Sequence, residues 1–148
     1  MNDRDEFLDS FLPRQIEAEE AIHDGDPGPR MELWSKADPV SLFGAWGPCK
    51  SGWAELSRTF QWVASRFSNG VAYRFELLAA DVVGDMAYTV GYEHASASVD
   101  GGPVEPNTLR VTHIYRRENG DWKIVHRHGD HLPVDQSPRA ETPAQAPS

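Results

Sequence analysis

Two runs of alternating apolar and polar residues, 109–115 and 122–130, flank Glu118-Asn119-Gly120-Asp121 and together constrain the fold more than any other part of the chain. Asn-Gly supplies the two positive-φ positions that a tight type I′ turn needs, so the runs predict a β-hairpin whose register can be counted outward from the turn. The count pairs Arg117 with Trp122, Tyr115 with Ile124, His113 with His126 and Val111 with His128. Successive strand residues point to opposite faces. The other face then carries Arg116, Ile114, Thr112 and Arg110 against Lys123, Val125, Arg127 and Gly129. One face gathers imidazoles and aromatics, which suggests a pocket wall. The other alternates basic with apolar and suggests solvent or a second subunit.

A second hairpin is predicted around Gly84-Asp85, joining residues 73–83 to 86–98. Its count places Phe75 opposite His94, Leu77 opposite Tyr92 and Ala79 opposite Val90, with Glu76–Glu93 and Arg74–Ala95 on the reverse side. Upstream, the spacing of Phe7, Leu8, Phe11, Leu12, Ile16 and Ile22 predicts a helix over residues 4–23, kinked or restarted at Pro13. A helical turn over 30–36 carries Trp34, and a short strand is expected over 40–45. The stripe Trp53, Leu56, Phe60, Val63 and Phe67 predicts a helix over 53–67, capped by Ser51 or Gly52 and stopped at Asn69-Gly70. Residues 1–132 read as one domain. Residues 133–148, rich in Pro, Ala and Ser without periodic apolar positions, read as a disordered tail.

A chain of 148 residues with five Trp, six Phe and four Tyr can bury a core without staples. Its net charge of −9 argues against nucleic acid as a partner, since phosphate contacts need a basic surface. The lone Cys49 leaves no internal disulfide and no thiolate-built zinc site. No apolar run approaches the roughly 18 residues of a membrane span, so a cytoplasmic setting without a membrane partner is expected.

The segments "VTHIYRRENGDWKIVHRH" and "FGAWGPCKSGW", set in an order of helix, short strand, amphipathic helix and long strands, resemble the SnoaL-like branch of the nuclear transport factor 2-like superfamily. Ketosteroid isomerase belongs to the same superfamily, and the resemblance covers residues 4–132. It implies an α+β cone, in which N-terminal helices pack in a strongly curved mixed sheet that encloses a pocket. The outer sheet face would then form a homodimer. The isomerases of the superfamily use a first-helix tyrosine and an aspartate base, where this chain offers Phe7 and Phe11, and Phe43 or Gly44. Cyclase members place a histidine on the penultimate strand and an aspartate on the last. His113 matches the first position, and the counted register sets His126 at the second.

These readings define the expected site. His113 is the expected base, paired with His126 across the strands, because imidazole exchanges protons near neutral pH. Tyr92 or Tyr115 would donate a hydrogen bond to a developing enolate oxygen. Trp34, Trp46 and Trp53 would supply apolar walls, and His94, His128 and Asp130 further ligand contacts. The expected ligand is a small, mostly apolar molecule bearing one or two oxygens, with no cofactor. If catalytic, the chemistry is proton transfer next to a carbonyl, of isomerase, cyclase or dehydratase type. Two alternatives stand beside it: a noncatalytic binding or homodimeric assembly domain, and a divalent metal held by His113, His126 and His128 with Asp130 or His131 nearby.

Overall fold

The computed structural model describes residues 2–133. Helix α1 (Asp3–His23) starts where the Asn2 side chain accepts from the Asp5 amide, with Asp3, Asp5 and Glu6 in the first turn, where the helix dipole favours negative charge. It runs through Pro13 as one helix. Helix α2 (Gly28–Leu33) follows and delivers Trp34 at its end. Strands β1 (Ser41–Phe43) and β2 (Cys49–Ser51) form a small antiparallel pair, the second of them unforeseen in the sequence. Helix α3 (Trp53–Arg66) has Gly52 as its N-cap residue, as expected, and the Trp53 amide donates to Asp38 Oδ1 at 3.0 Å.

Four long strands complete the chain: β3 (Phe67–Val83), β4 (Met86–Val99), β5 (Glu105–Glu118) and β6 (Asp121–His131). The six strands form one sheet in the order β2-β1-β6-β5-β4-β3, mixed because β1 runs parallel to β6. Bulges bend β3 between Ser68 and Val71, between Val71 and Arg74, and between Leu77 and Ala79. The curved sheet wraps α1. At the narrow end, Phe7 and Phe11 pack edge-on against Tyr115, Phe7 also against Trp122, and Trp34 lies on Phe60 of α3. These aromatics, with Leu33, Leu56 and Ile124, form the apolar core.

Both turns take the geometry their residues demand. Asn119 and Gly120 have φ of 52° and 83°, the paired positive values of a type I′ turn, while positive φ falls on Gly84 alone in the other hairpin. Near the turns the pairing matches the count: Arg117 opposes Trp122, Tyr115 opposes Ile124, and Ala79 opposes Val90. Beyond them it slips by one residue in each hairpin. Val125 is an extra residue on β6, so Ile114 opposes His126, His113 opposes Arg127 and Thr112 opposes His128. Leu78 is an extra residue on β3, so Leu77 opposes Gly91 and Phe75 opposes Glu93.

A one-residue slip exchanges the faces of everything beyond it. Arg127, expected outside, is thereby buried at 5% exposure. Glu93, also expected outside, is buried at 2% because the unbulged β4 turns Ala87, Thr89, Gly91 and Glu93 inward throughout. His126 and His128 are turned to the outer face instead. Gly129 helps to admit Arg127, because a Cβ there would stand 3.3 Å from Arg127 Nη2.

Candidate functional site

The interior changes character along α1. Its buried face begins with Phe7 and Phe11 and continues through Gln15, Ala18, Glu19 and Ile22, so the same helical spacing that packs aromatics at one end carries polar groups inward at the other. Tyr115 bridges the two zones, its hydroxyl donating to Gln15 Oε1 at 2.6 Å and lying 2.9 Å from Thr89 Oγ1. Burial pushes the Tyr115 phenol well above its usual range.

Above that layer lies a buried chain of alternating charges. Arg127 donates through both Nη atoms to the two oxygens of Glu93, each at 2.9 Å, and the Tyr73 hydroxyl donates to Glu93 Oε2 at 3.0 Å. Arg30 donates through Nε and Nη2 to Glu19 at 2.9 and 2.5 Å, and Glu19 Oε1 stands 3.9 Å from Arg127 Nη1. Burial alone would raise the Glu93 carboxyl, but the charge and hydrogen bonds of Arg127 outweigh it, and the group is held far below the usual carboxylate range. Arg127 stays charged under the same pairing. Burial, reinforced by the Glu93 charge, keeps Tyr73 a neutral phenol.

This charged layer is the floor of a cavity of about 300 Å³, into which Arg30, Glu93 and Arg127 open. Leu42, Trp46, Phe67, Ala95, Ala97 and Leu109 contribute its apolar walls, and His23 and His131 its imidazoles. The acceptor oxygens of Glu93 are already taken by Arg127 and Tyr73. Arg30 Nη1, by contrast, makes no hydrogen bond among the described residues and is not a buried orphan. The floor therefore offers donors and asks for an acceptor.

Of the residues expected at the site, Trp46 lines this cavity, tilted against Phe67 at 4.8 Å between ring centres with the Arg66 guanidinium 4.2 Å from its ring centre. His113 points inward as expected but is not a lining residue. It is 1% exposed, with Nε2 3.4 Å from Arg127 Nη1 and Nδ1 unpartnered. Burial first, and then the Arg127 charge, lower its pKa well below the usual histidine value. Tyr115 and Trp34 are core residues, and Trp53 sits at the start of α3 with Lys36 Nζ 5.0 Å from its ring centre.

The remaining candidates lie on the outer sheet face, a correction to the counted register. His126 Nδ1 meets Ser41 Oγ at 2.7 Å, and Phe43 packs edge-on against both His126 and His128. His94 bridges Thr108 and Glu76, and Asp130 takes two hydrogen bonds from Arg110 at 2.7 and 2.8 Å. Tyr92, His128 and Asp130 do share a hollow, of about 250 Å³, but it opens on that outer face. The metal reading loses its geometry by the same slip, since His113 is inside the sheet and His126 and His128 are outside. Among the described residues no group of three or more His, Cys, Asp or Glu is placed to hold a metal.

The residues that build the floor, Glu19, Arg30, Glu93 and Arg127, were missed. Glu19 could have been found, because it falls on the buried stripe of α1. Arg127 was hidden by the bulge in β6, whose signal is two adjacent apolar residues, Ile124-Val125, inside an alternating strand. Glu93 was missed because the wrong face of the unbulged β4 was taken as inward, although it alternates Ala87, Thr89, Gly91 and Glu93 on one side.

Comparison with known proteins agrees with this architecture. A Salmonella enterica serovar Typhimurium protein of the nuclear transport factor 2-like superfamily superposes with a TM-score of 0.70 at 20% identity, over 85% of this chain and 89% of that one. A Streptomyces avermitilis protein, described as a candidate dehydratase of the NTF2-like family, superposes at 0.69 with 23% identity over 88% and 99% of the two chains. A Xanthomonas campestris structure described as a candidate calcium/calmodulin-dependent protein kinase II association domain gives 0.61 at 16% identity over 90% of each chain. These likenesses establish a common fold. In sequence, 103 residues are 27% identical to the F-box protein SKIP8 of Arabidopsis thaliana, covering 70% of this chain but only 41% of that protein. No helix among the described residues is long and apolar enough to cross a membrane. The family model described as a SnoaL-like domain matches residues 17–134, most of the chain, and the protein belongs to that family.

Proposed function

We propose that the protein binds a compact, mostly apolar organic molecule in the cone, with a carbonyl or carboxylate oxygen of the ligand turned toward the floor. The observation that carries this reading is the apolar-walled cavity ending on guanidinium donors whose neighbouring carboxylates are already paired. At the floor both carboxylates, Glu19 and Glu93, are already paired with guanidinium groups, so it favours an acceptor over a cation, and a hydrocarbon would leave the Arg30 donor unmet. Proton transfer next to a carbonyl, of isomerase, cyclase or dehydratase type, suits such a pocket, and the description of the Streptomyces neighbour as a candidate dehydratase is in keeping with it. In this reading His113 acts beneath Arg127 as a neutral, positioning imidazole and does not meet the ligand.

Cyclohexanone, a ring with one acceptor oxygen, is expected to shift the amide resonances of Ala95, Ala97 and Leu109 in 1H–15N spectra. Ala95→Phe, which fills the cavity from its wall, should abolish those shifts without lowering thermal stability. Shifts confined to the outer face, or undiminished in Ala95→Phe, would contradict the reading.

An assembly role is favoured by a separate observation. The outer face exposes Phe43, Leu78 and Tyr88 at 47%, 57% and 42%, a large apolar content for a sheet surface facing water. We propose that a second copy of the chain covers this face. Sedimentation should give a dimer at tens of micromolar, reduced to monomer by Tyr88→Glu with cavity binding retained. A wild-type monomer under those conditions would end the assembly reading.

A further inference from the structure

We propose that His23 is the proton acceptor of the cavity, acting on a carbon next to a carbonyl whose oxygen Arg30 holds, and that Glu19 positions both groups. This inference rests on the ligand class proposed above and assigns the chemistry to a residue outside the strand histidines.

His23 ends α1 and lines the cavity. Its Nδ1 lies 2.7 Å from the main-chain oxygen of Glu19, one turn earlier. A carbonyl oxygen can only accept, so Nδ1 carries the proton, and in the neutral ring the lone pair is left on Nε2. The ring is held by Phe67 at 4.5 Å and Tyr73 at 5.8 Å between centroids. Strand β3 crosses so closely that a Cβ at Gly70 would stand 2.8 Å from both His23 Cβ and its main-chain oxygen. Residue 70 is thereby restricted to glycine, and the imidazole is fixed against the wall.

The carboxylate of the same Glu19 takes two hydrogen bonds from Arg30, leaving Arg30 Nη1 toward the cavity. The Phe60 ring supports that guanidinium from 5.2 Å. One residue thus orients an acceptor through its backbone and a cationic donor through its side chain. In the step these groups support, the α C–H bond breaks and the proton passes to His23 Nε2. The electron pair moves into a new C=C bond, and the carbonyl oxygen becomes an enolate that Arg30 stabilises. Return of the proton from His23 to carbon closes the cycle with no oxidant or further reactant.

The test uses the full chain with cyclohexanone in D2O. Long-range 1H–15N correlation of the histidine rings should find His23 in the Nδ1–H tautomer, with Nε2 shifting on addition of the ketone. Proton NMR should show α-hydrogen exchange above the buffer rate, falling about 100-fold or more in His23→Gln while cyclohexanone still perturbs the cavity amides. Arg116→Ala, on the outer face, should exchange as wild type does. A His23 ring protonated on Nε2, or equal exchange in wild type and His23→Gln, would overturn the assignment. Ketone binding without exchange would overturn it and leave the binding function standing. Absence of any cavity binding would remove both together.

Discussion

Replacing Arg127 by methionine is expected to destabilise the fold by about 3–5 kcal/mol, the range for removing one partner of a buried ion pair. The guanidinium supplies two of the three side-chain hydrogen bonds that hold the Glu93 carboxylate at 2% exposure, and without it Glu93 keeps only the Tyr73 hydroxyl. Glu19, 3.9 Å from Arg127, loses a counter-charge as well, although Arg30 remains beside it. The double exchange Glu93→Gln with Arg127→Met removes both buried charges and should recover much of the loss. Denaturant unfolding of the single and double variants reads this directly. A single variant costing less than about 1 kcal/mol would mean that Arg127 is at the surface, where ion pairs contribute that little.

The second large effect is in the pH dependence of stability. Burial, and then the Arg127 charge, depress the His113 pKa in the folded state, while the unfolded chain takes its proton near 6.5. Below that value the unfolded state binds more protons than the folded one. Stability should therefore fall as pH drops below 6.5, by up to about 1.4 kcal/mol per pH unit from this group alone, until the folded-state pKa is reached. Glu93 acts at lower pH. Its folded pKa is depressed from 4.5, so its contribution is present above that value and is lost as pH falls toward the folded one. The interval between 6.5 and 4.5 thus separates the histidines from Glu93. His126, whose pKa burial also lowers, adds to the slope there, and the difference between wild type and a His113 variant isolates His113. His113→Gln should flatten the slope there relative to wild type, as measured by urea unfolding at several pH values. Parallel slopes for the two proteins would show that His113 is accessible and titrates normally.

The same residue shows which parts of the fold were legible in the sequence. Turns are written in one or two residues, and Asn119-Gly120 and Gly84 gave both hairpins and the pairing next to each turn. Apolar spacing located α1 and α3, and the inward face of β5, with Val111, His113 and Tyr115, followed from alternation. Bulges are decided by how a sheet must bend around its core, and a parity count carries the wrong face past each one. Val125 did this in β6, exchanging His126 for Arg127, and Leu78 did it within β3. In β4, which has no bulge, the choice of inward face was itself wrong, since Ala87, Thr89, Gly91 and Glu93 face inward and Val90, Tyr92 and His94 outward. The expected imidazole cluster became a buried ion pair for these two reasons. The tail expected over 133–148 falls, from residue 134 onward, outside the described residues. Glu19 occupies the buried stripe of α1 because Arg30, eleven residues later, neutralises it, a pairing that helical spacing does not show.

Everything at the cavity floor depends on Arg127 facing inward across from His113. Cross-strand nuclear Overhauser effects between β5 and β6 measure that register in solution. The account predicts that His113 pairs with Arg127 and Thr112 with His128, with Val125 unpaired, while Tyr115 still pairs with Ile124. Effects linking His113 to His126 and Val111 to His128 would restore the unslipped hairpin, turn Arg127 to the outer face and contradict the site described above.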